Sequence, residues 1–339
     1  MSSSAFLRAL PKVELHVHLV GSASVPTVRR LAARHGALTV PTDPDELAAF
    51  YAFRDFAHFI DVYQAVNALV STPADVTDLV LGLARELAAA GVRYAEVTVT
   101  PVSHLSVGIG AGALAEALVE GRERARAEHG VELGWIFDTA GELGVDAAWA
   151  TLDWVLAHRP AGTVGFGLGG PEIGVDRAAF AGPFAAARDA GLRSLPHAGE
   201  TTGPATIWSA LHDLGAERIG HGIGAIADPA LLEHLAEHRI PLEVCPTSNL
   251  RTGAVRSLAE HPLPRLLRAG VPVTLNTDDP GMFGCDLVGE YRVAHEVLGL
   301  SVAELVGLTR TAIDAAGCSA GLRTALHAEL AAADAGTAG

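Results

Sequence analysis

The chain has 339 residues, with 24 Lys+Arg against 39 Asp+Glu and a formal charge of -15 with neutral His. Hydrophobic residues make up 49% and charged residues 19%, which is too apolar for a disordered chain and long enough to bury a large core. The acidic excess argues against nucleic acid or an anionic membrane surface as a partner.

Length alone fits two domains of roughly 150 residues, and it also fits one α/β barrel. Cys245, Cys285 and Cys318 are widely spaced, with no CxxC pair, so no disulfide framework is expected. No apolar run approaches the roughly 20 residues of a membrane span, and the N-terminus lacks a long apolar leader, so a cytoplasmic protein is expected.

In chain order, eight runs read as strands: 13–18, 92–99, 131–138, 163–168, 192–197, 218–221, 240–245 and 271–277. Ala- and Leu-rich helical stretches such as 178–190, 207–214, 229–237 and 258–269 alternate with the later ones. Alternation of this kind predicts parallel pairing through right-handed crossovers. Eight repeats favour one (β/α)8 TIM barrel, a single domain over 1–339. The gap at 19–91 is too long for one crossover, so extra helices are expected there, over the barrel mouth. The Ala-rich residues 326–339 read as a flexible tail.

Barrel chemistry sits at the C-terminal ends of the strands, and here those ends are polar. His16 and His18 share one side of the first strand, because residues i and i+2 face the same way. A lone HxH also fits two satisfied core histidines. His197 and Asp278 end the fifth and eighth runs, and three imidazoles with one carboxylate suit Zn²⁺ or a similar ion. Glu200 follows His197 by three positions. It fits a proton donor with a raised pKa, or a helix-start Glu held by the dipole. His221, between Gly220 and Gly222, fits a base or a hydrogen-bonded barrel histidine. Asp278 and Asp279 are paired acids, which are seldom buried without a metal or donor.

These strings occur in the order Pro11-Lys12-Val13-Glu14-Leu15-His16-Val17-His18-Leu19, His197-Ala198-Gly199-Glu200, Gly220-His221-Gly222, Cys245-Pro246-Thr247-Ser248-Asn249 and Leu275-Asn276-Thr277-Asp278-Asp279-Pro280. Together they resemble the adenosine deaminase family over roughly 11–320. The resemblance implies a mononuclear zinc barrel acting on a small-molecule purine nucleoside. It implies that His16, His18, His197 and Asp278 hold Zn²⁺, and that His221 and Asp278 orient and deprotonate a water. Glu200 would protonate purine N1, Asp279 would meet N7, and the backbone of Gly170 would meet N3.

The chain also departs from the adenosine pattern. Val20 stands where the adenosine enzymes have an Asp that resembles a binder of the ribose 5′-hydroxyl, and Val cannot hydrogen-bond. Thr98 stands where Arg is common, and Asp138 and Gly167 differ in detail. Phe50, Tyr51, Phe53, Phe56, Phe59 and Tyr63 crowd positions 50–63. They fit a lid packed on the barrel, or a wall (Phe50, Phe53, Phe56, Phe59) that stacks on a substrate arene. Arg54 beside them fits a partner for a substrate carboxylate. The pattern is most similar to the subgroup that deaminates 6-amino-6-deoxyfutalosine in menaquinone biosynthesis, whose substrate carries a carboxyphenyl ketone on its 5′ side. Adenosine, adenine or a 5′-modified adenosine are the alternative substrates, and a non-catalytic nucleoside-binding barrel is a remote one. Oligomeric state is left open.

Overall fold

A computed structural model describes residues 3–36 and 39–335. Nine parallel strands run through them: β1 (Lys12–His18), β2 (Val92–Val99), β3 (Glu132–Ala140), β4 (Thr163–Gly169), β5 (Arg193–Ser194), β6 (His197–Ala198), β7 (Ile219–His221), β8 (Leu242–Val244) and β9 (Val273–Leu275). They form one ladder β1-β2-β3-β4-β5 and another β6-β7-β8-β9.

The two ladders are arcs of one barrel. Pro196 has no N–H to donate and splits the fifth stave into β5 and β6. The neighbours bond across the break, with Leu195 N donating to Phe166 O at 3.0 Å and Gly220 N donating to Pro196 O at 3.0 Å. Closure comes from a parallel bridge between Val17 and Asp278. There, His18 N donates to Asp278 O at 2.8 Å, and Asp278 N donates to His16 O at 3.0 Å. The expected eight-stave barrel is therefore the observed architecture, with one stave in two pieces.

Helices cover the outside and side chains fill the inside, so most strand residues are buried on both faces. In β1 the pleat separates Val13, Leu15 and Val17 from Glu14, His16 and His18, and all but His18 are fully buried. Arg218 is buried between Glu96 and Glu243, an ionic layer that lies beneath the mouth.

Short helices leave several strands abruptly. Pro101–Ser106, Pro246–Arg251 and Pro280–Phe283 each have Pro in the first helical turn. Proline there presets the helical φ, and it holds the residue before it out of the helical region. Thr100, Cys245 and Asp279 are thus fixed at sharp strand-to-helix corners.

Between β1 and β2 lie the helices Val25–His35, Pro44–Phe50, Phe56–Asn67 and Pro73–Ala89. Phe56–Asn67 runs along the cavity at the mouth. Pro73–Ala89, started by a Thr72/Asp75 capping box, packs on β2 and on the helix Ala111–Arg124. The cover over the mouth is thus narrower than the whole 19–91 segment.

Most of the segment 326–339, expected to be a flexible tail, is helical through Ala335. Ala320–Ala335 is helical, and Leu326 and Leu330 are buried one turn apart. Alanine hides the apolar stripe in the sequence, but it lets the helix lie close against Val302–Ala315. Residues 336–339 lie outside the described residues. Among the described residues no helix is long and apolar enough to cross a membrane.

Candidate active site

His16 and His18 end β1, His197 opens β6, and Asp278 follows β9. One ligand atom from each lies within 4.8 Å of the others. His18 Nε2 is 3.2 Å from His197 Nε2 and 3.3 Å from Asp278 Oδ1. His16 Nε2 is 3.4 Å from Asp278 Oδ1 and has no hydrogen-bond partner. Converging lone pairs on buried imidazoles and a carboxylate repel or go unsatisfied without a cation among them.

The surroundings favour positive charge. His16 Nδ1 is 3.1 Å from Glu243 Oε2; donation there leaves Nε2 free as a ligand. Burial alone would lower the His16 pKa, but the nearby Asp278 and Glu243 carboxylates push it up to about 10. Burial likewise opposes ionisation of Asp278, yet the imidazoles around it hold its pKa well below the usual carboxylate range. The residues therefore fit a divalent ion that takes nitrogen and oxygen ligands.

Glu200 and His221 stand beside this cluster. His221 Nε2 is 3.7 Å from Glu200 Oε2 and 3.8 Å from Asp278 Oδ2. Burial, then the charges of Asp278 and Glu172, push Glu200 up to about 8 against the hydrogen bond from Thr252. Ser248 Oγ donates to Asp278 Oδ2 at 2.6 Å. His221 and Asp278 have left-handed backbones, with φ of 59° and 66°, a conformation that costs a non-glycine residue about 1 kcal/mol or more. Both strained residues face the cavity.

Asp279 Oδ1 is buried without a hydrogen-bond partner. Burial and the adjacent Asp278 charge raise the Asp279 pKa well above normal. Gly21 makes the space, because a Cβ at Gly21 would fall inside the Asp279 carboxyl group. Gly21→Ala is therefore expected to displace Asp279 and lower kcat/KM by roughly 10²-fold with metal content unchanged. Steady-state kinetics with metal analysis checks this; wild-type turnover in the variant would show that the Asp279 position is immaterial.

A cavity of about 80 Å³ opens above the cluster, lined by His18, His197, Glu200, His221, Asp278 and Asp279 on one side. Gly170, Phe56 and Phe59 also line it. Gly170 has φ 76°, and a side chain there would strike Glu142 and Ala140. Four expected contacts do not line the cavity. Val20 is buried among core residues, and Phe50 packs against the core from the end of its helix. Phe53 turns to Phe59 and Phe283, with ring centroids 5.3 and 5.9 Å away. Arg54 is exposed in the connection before Phe56–Asn67. The cation at the aromatic cluster is Arg251, 5.7 Å from the Phe53 ring centroid, with Nη2 donating to Tyr51 O at 3.0 Å.

Ile60, Tyr63, Gln64, Thr100, Asp138, Glu142 and Thr252 line the cavity without having been assigned a role from the sequence. Tyr63 had a signal in the aromatic cluster, and Asp138 had one at its strand end. Gln64 and Glu142 had none. Glu243 also had none, because it lies two residues before the Cys245–Asn249 string.

A parallel barrel with an imidazole–carboxylate cluster at its strand ends is the architecture of metal-dependent barrel hydrolases. The chain belongs to the adenosine deaminase family, whose model matches residues 11–333. It is 53% identical over 328 residues to an aminodeoxyfutalosine deaminase of Streptomyces avermitilis, covering 96% of this chain and 92% of that one. It is 55% identical over 313 residues to an aminodeoxyfutalosine deaminase of Streptomyces coelicolor, covering 92% and 81%. Among solved structures, an adenine deaminase from Arthrobacter aurescens superposes with a TM-score of 0.91 at 33% identity, covering 95% of this chain and 98% of that one. A zinc-bound amidohydrolase from Burkhoderia ambifaria gives 0.90 at 28% identity, covering 98% and 93%.

Proposed function

We propose that the chain hydrolyses the 6-amino group of a purine nucleoside, with 6-amino-6-deoxyfutalosine as substrate and futalosine and ammonia as products. The observation that carries the reaction is the placement of buried Glu200 beside His221 and Asp278, at the edge of a cluster that could hold a metal; burial pushes the Glu200 pKa up. The relatives at 53–55% identity support the substrate.

In this reading His16, His18, His197 and Asp278 hold Zn²⁺. A bound zinc supplies acidity, making a water nucleophilic near neutral pH. Glu200 delivers a proton to purine N1, and Thr252 keeps its carboxyl in place. Asp279 meets N7, and the backbone N–H of Gly170 donates to N3. These contacts orient C6 toward the metal cluster.

The 6-amino edge occupies the side with Glu200, His221 and Asp279, so the sugar extends toward β2, β3 and β4. That side offers Asp138, with Thr100 Oγ1 donating to its Oδ1 at 2.6 Å, and Glu142. Carboxylates facing an uncharged sugar act as hydroxyl acceptors. Phe56 and Phe59 offer ring faces to an arene beyond the sugar.

The test is parallel turnover of adenosine, adenine, 5′-methylthioadenosine and 6-amino-6-deoxyfutalosine, followed by ultraviolet absorbance. The last is expected to lead in kcat/KM by about tenfold or more, or ~1.4 kcal/mol in transition-state binding. Adenine or adenosine leading by the same margin would refute the substrate. Dialysis against a chelator is expected to abolish turnover, and added Zn²⁺ to restore it; full activity in metal-free protein would refute the metal.

A further inference from the structure

His221 sits at the end of a buried hydrogen-bond chain whose direction is set by a backbone amide. Leu263 N donates to His261 Nδ1 at 3.1 Å. A main-chain N–H can only donate, so His261 Nδ1 carries no proton and the ring proton is on Nε2. Burial, which lowers the His261 pKa to about 4, agrees with a neutral ring.

His261 Nε2 is 3.2 Å from Asn249 Oδ1. That nitrogen is a donor, so the amide oxygen must face it, which fixes the Asn249 orientation. The Asn249 amide nitrogen then faces His221 Nδ1 at 3.2 Å. Since an amide NH₂ only donates, His221 Nδ1 must accept. His261, Asn249 and His221 are all buried, so water does not compete for these bonds.

We propose that Asn249 and His261 are positioning residues that hold neutral His221 in its Nε2–H tautomer. His221 then points a donor, not a lone pair, into the gap between Glu200 and Asp278, each more than 3.5 Å away. That gap is where an attacking oxygen stands in the deaminase reading. His221 stabilises negative charge on that oxygen and does not remove its proton. The proton passes to a carboxylate, and Asp278 is the one that faces both His221 and the imidazole cluster. This direction is opposite to the base role expected of His221 from the sequence.

The tautomer rests on the hydrogen bonds alone, and only the kinetic arm of the test rests on the deaminase reading. Long-range ¹⁵N–¹H spectra of the zinc-loaded protein are expected to show His221 as Nε2–H; an Nδ1–H signal would overturn the proposal whatever the substrate. Asn249→Asp places an acceptor against both rings. It is expected to switch His221 to Nδ1–H and to lower kcat by about tenfold or more, with KM within about threefold and metal content unchanged. His261→Gln, which keeps a donor to Asn249, is expected to retain more activity than His261→Leu. An unchanged tautomer and kcat in Asn249→Asp, or equal losses with metal loss in both His261 variants, would overturn the proposal.

Discussion

Glu200→Gln is expected to lower kcat by about 10³-fold while leaving the fold and the bound metal in place. Gln keeps the shape of Glu, and its amide oxygen still accepts from Thr252. The lost element is the proton. Glu200 is 9% exposed, and burial among the negative Asp278 and Glu172 pushes its carboxyl up to about 8. In the proposed mechanism, a carboxyl pushed up in this way meets a weakly basic ring nitrogen as an acid. A raised pKa means that the protonated form exists below pH 8 and is lost as pH rises through it. The wild-type kcat/KM is therefore expected to fall on the alkaline side near pH 8, and the residual rate of Glu200→Gln is expected to lack that limb. Kinetics across pH with metal analysis decides the point. A variant within tenfold of wild type would remove Glu200 from the proton path.

Arg218→Met is expected to be the most destabilising single change, at roughly 3–5 kcal/mol. Arg218 is fully buried and pairs with Glu96 through Nη2 and with Glu243 through Nε. It also donates to Ala315 O at 3.0 Å. Removing it leaves two buried carboxylates without their shared cation. Burial opposes ionisation of Glu243, yet Arg218, with His16, draws its pKa down to about 2. Losing the arginine therefore also weakens the charged partner of His16. Arg218→Lys is expected to recover only part of the loss, because one ammonium cannot match the two-sided guanidinium fork. Combining Arg218→Met with Glu96→Leu is expected to regain stability over the single variant, since one stranded charge goes with it. Urea unfolding of the three variants checks the order. A single variant within about 1 kcal/mol of wild type would show that water or protonation relieves the two acids.

The barrel was legible because eight short runs alternate with helical stretches, and polar residues gather at or just after the ends of several of them. The break at Pro196 was readable only with the rule that proline cannot donate to a ladder. The grouping of His16, His18, His197 and Asp278 was legible because strand periodicity puts His16 and His18 on one face, and because His197 and Asp278 stand at strand ends. What reaches across the barrel was not legible. Glu243 backs His16 from 227 positions away, and Arg251 lies 200 positions from the Tyr51 carbonyl it holds. Arg54 was the candidate because it is adjacent in sequence, yet the connection before Phe56–Asn67 turns it to solvent. Val20 illustrates a different limit. The sequence marks it as apolar, but whether an apolar side chain meets substrate or core depends on the turn after β1, and here it meets core.

Closure of the barrel through Val17 and Asp278 also bears on the order of events during synthesis and refolding. These partners are 261 positions apart, and joining such distant segments carries a large loop-closure entropy and slows folding. The ring therefore seals only once nearly the whole chain is available. A nascent chain that stops short of β9 holds three histidines of the cluster but lacks its carboxylate, so a complete site and a sealed ring arise in one event. Recovery of activity after denaturation should then lag behind recovery of helix signal, and reopening of this seam would extinguish the site before the rest of the fold comes apart.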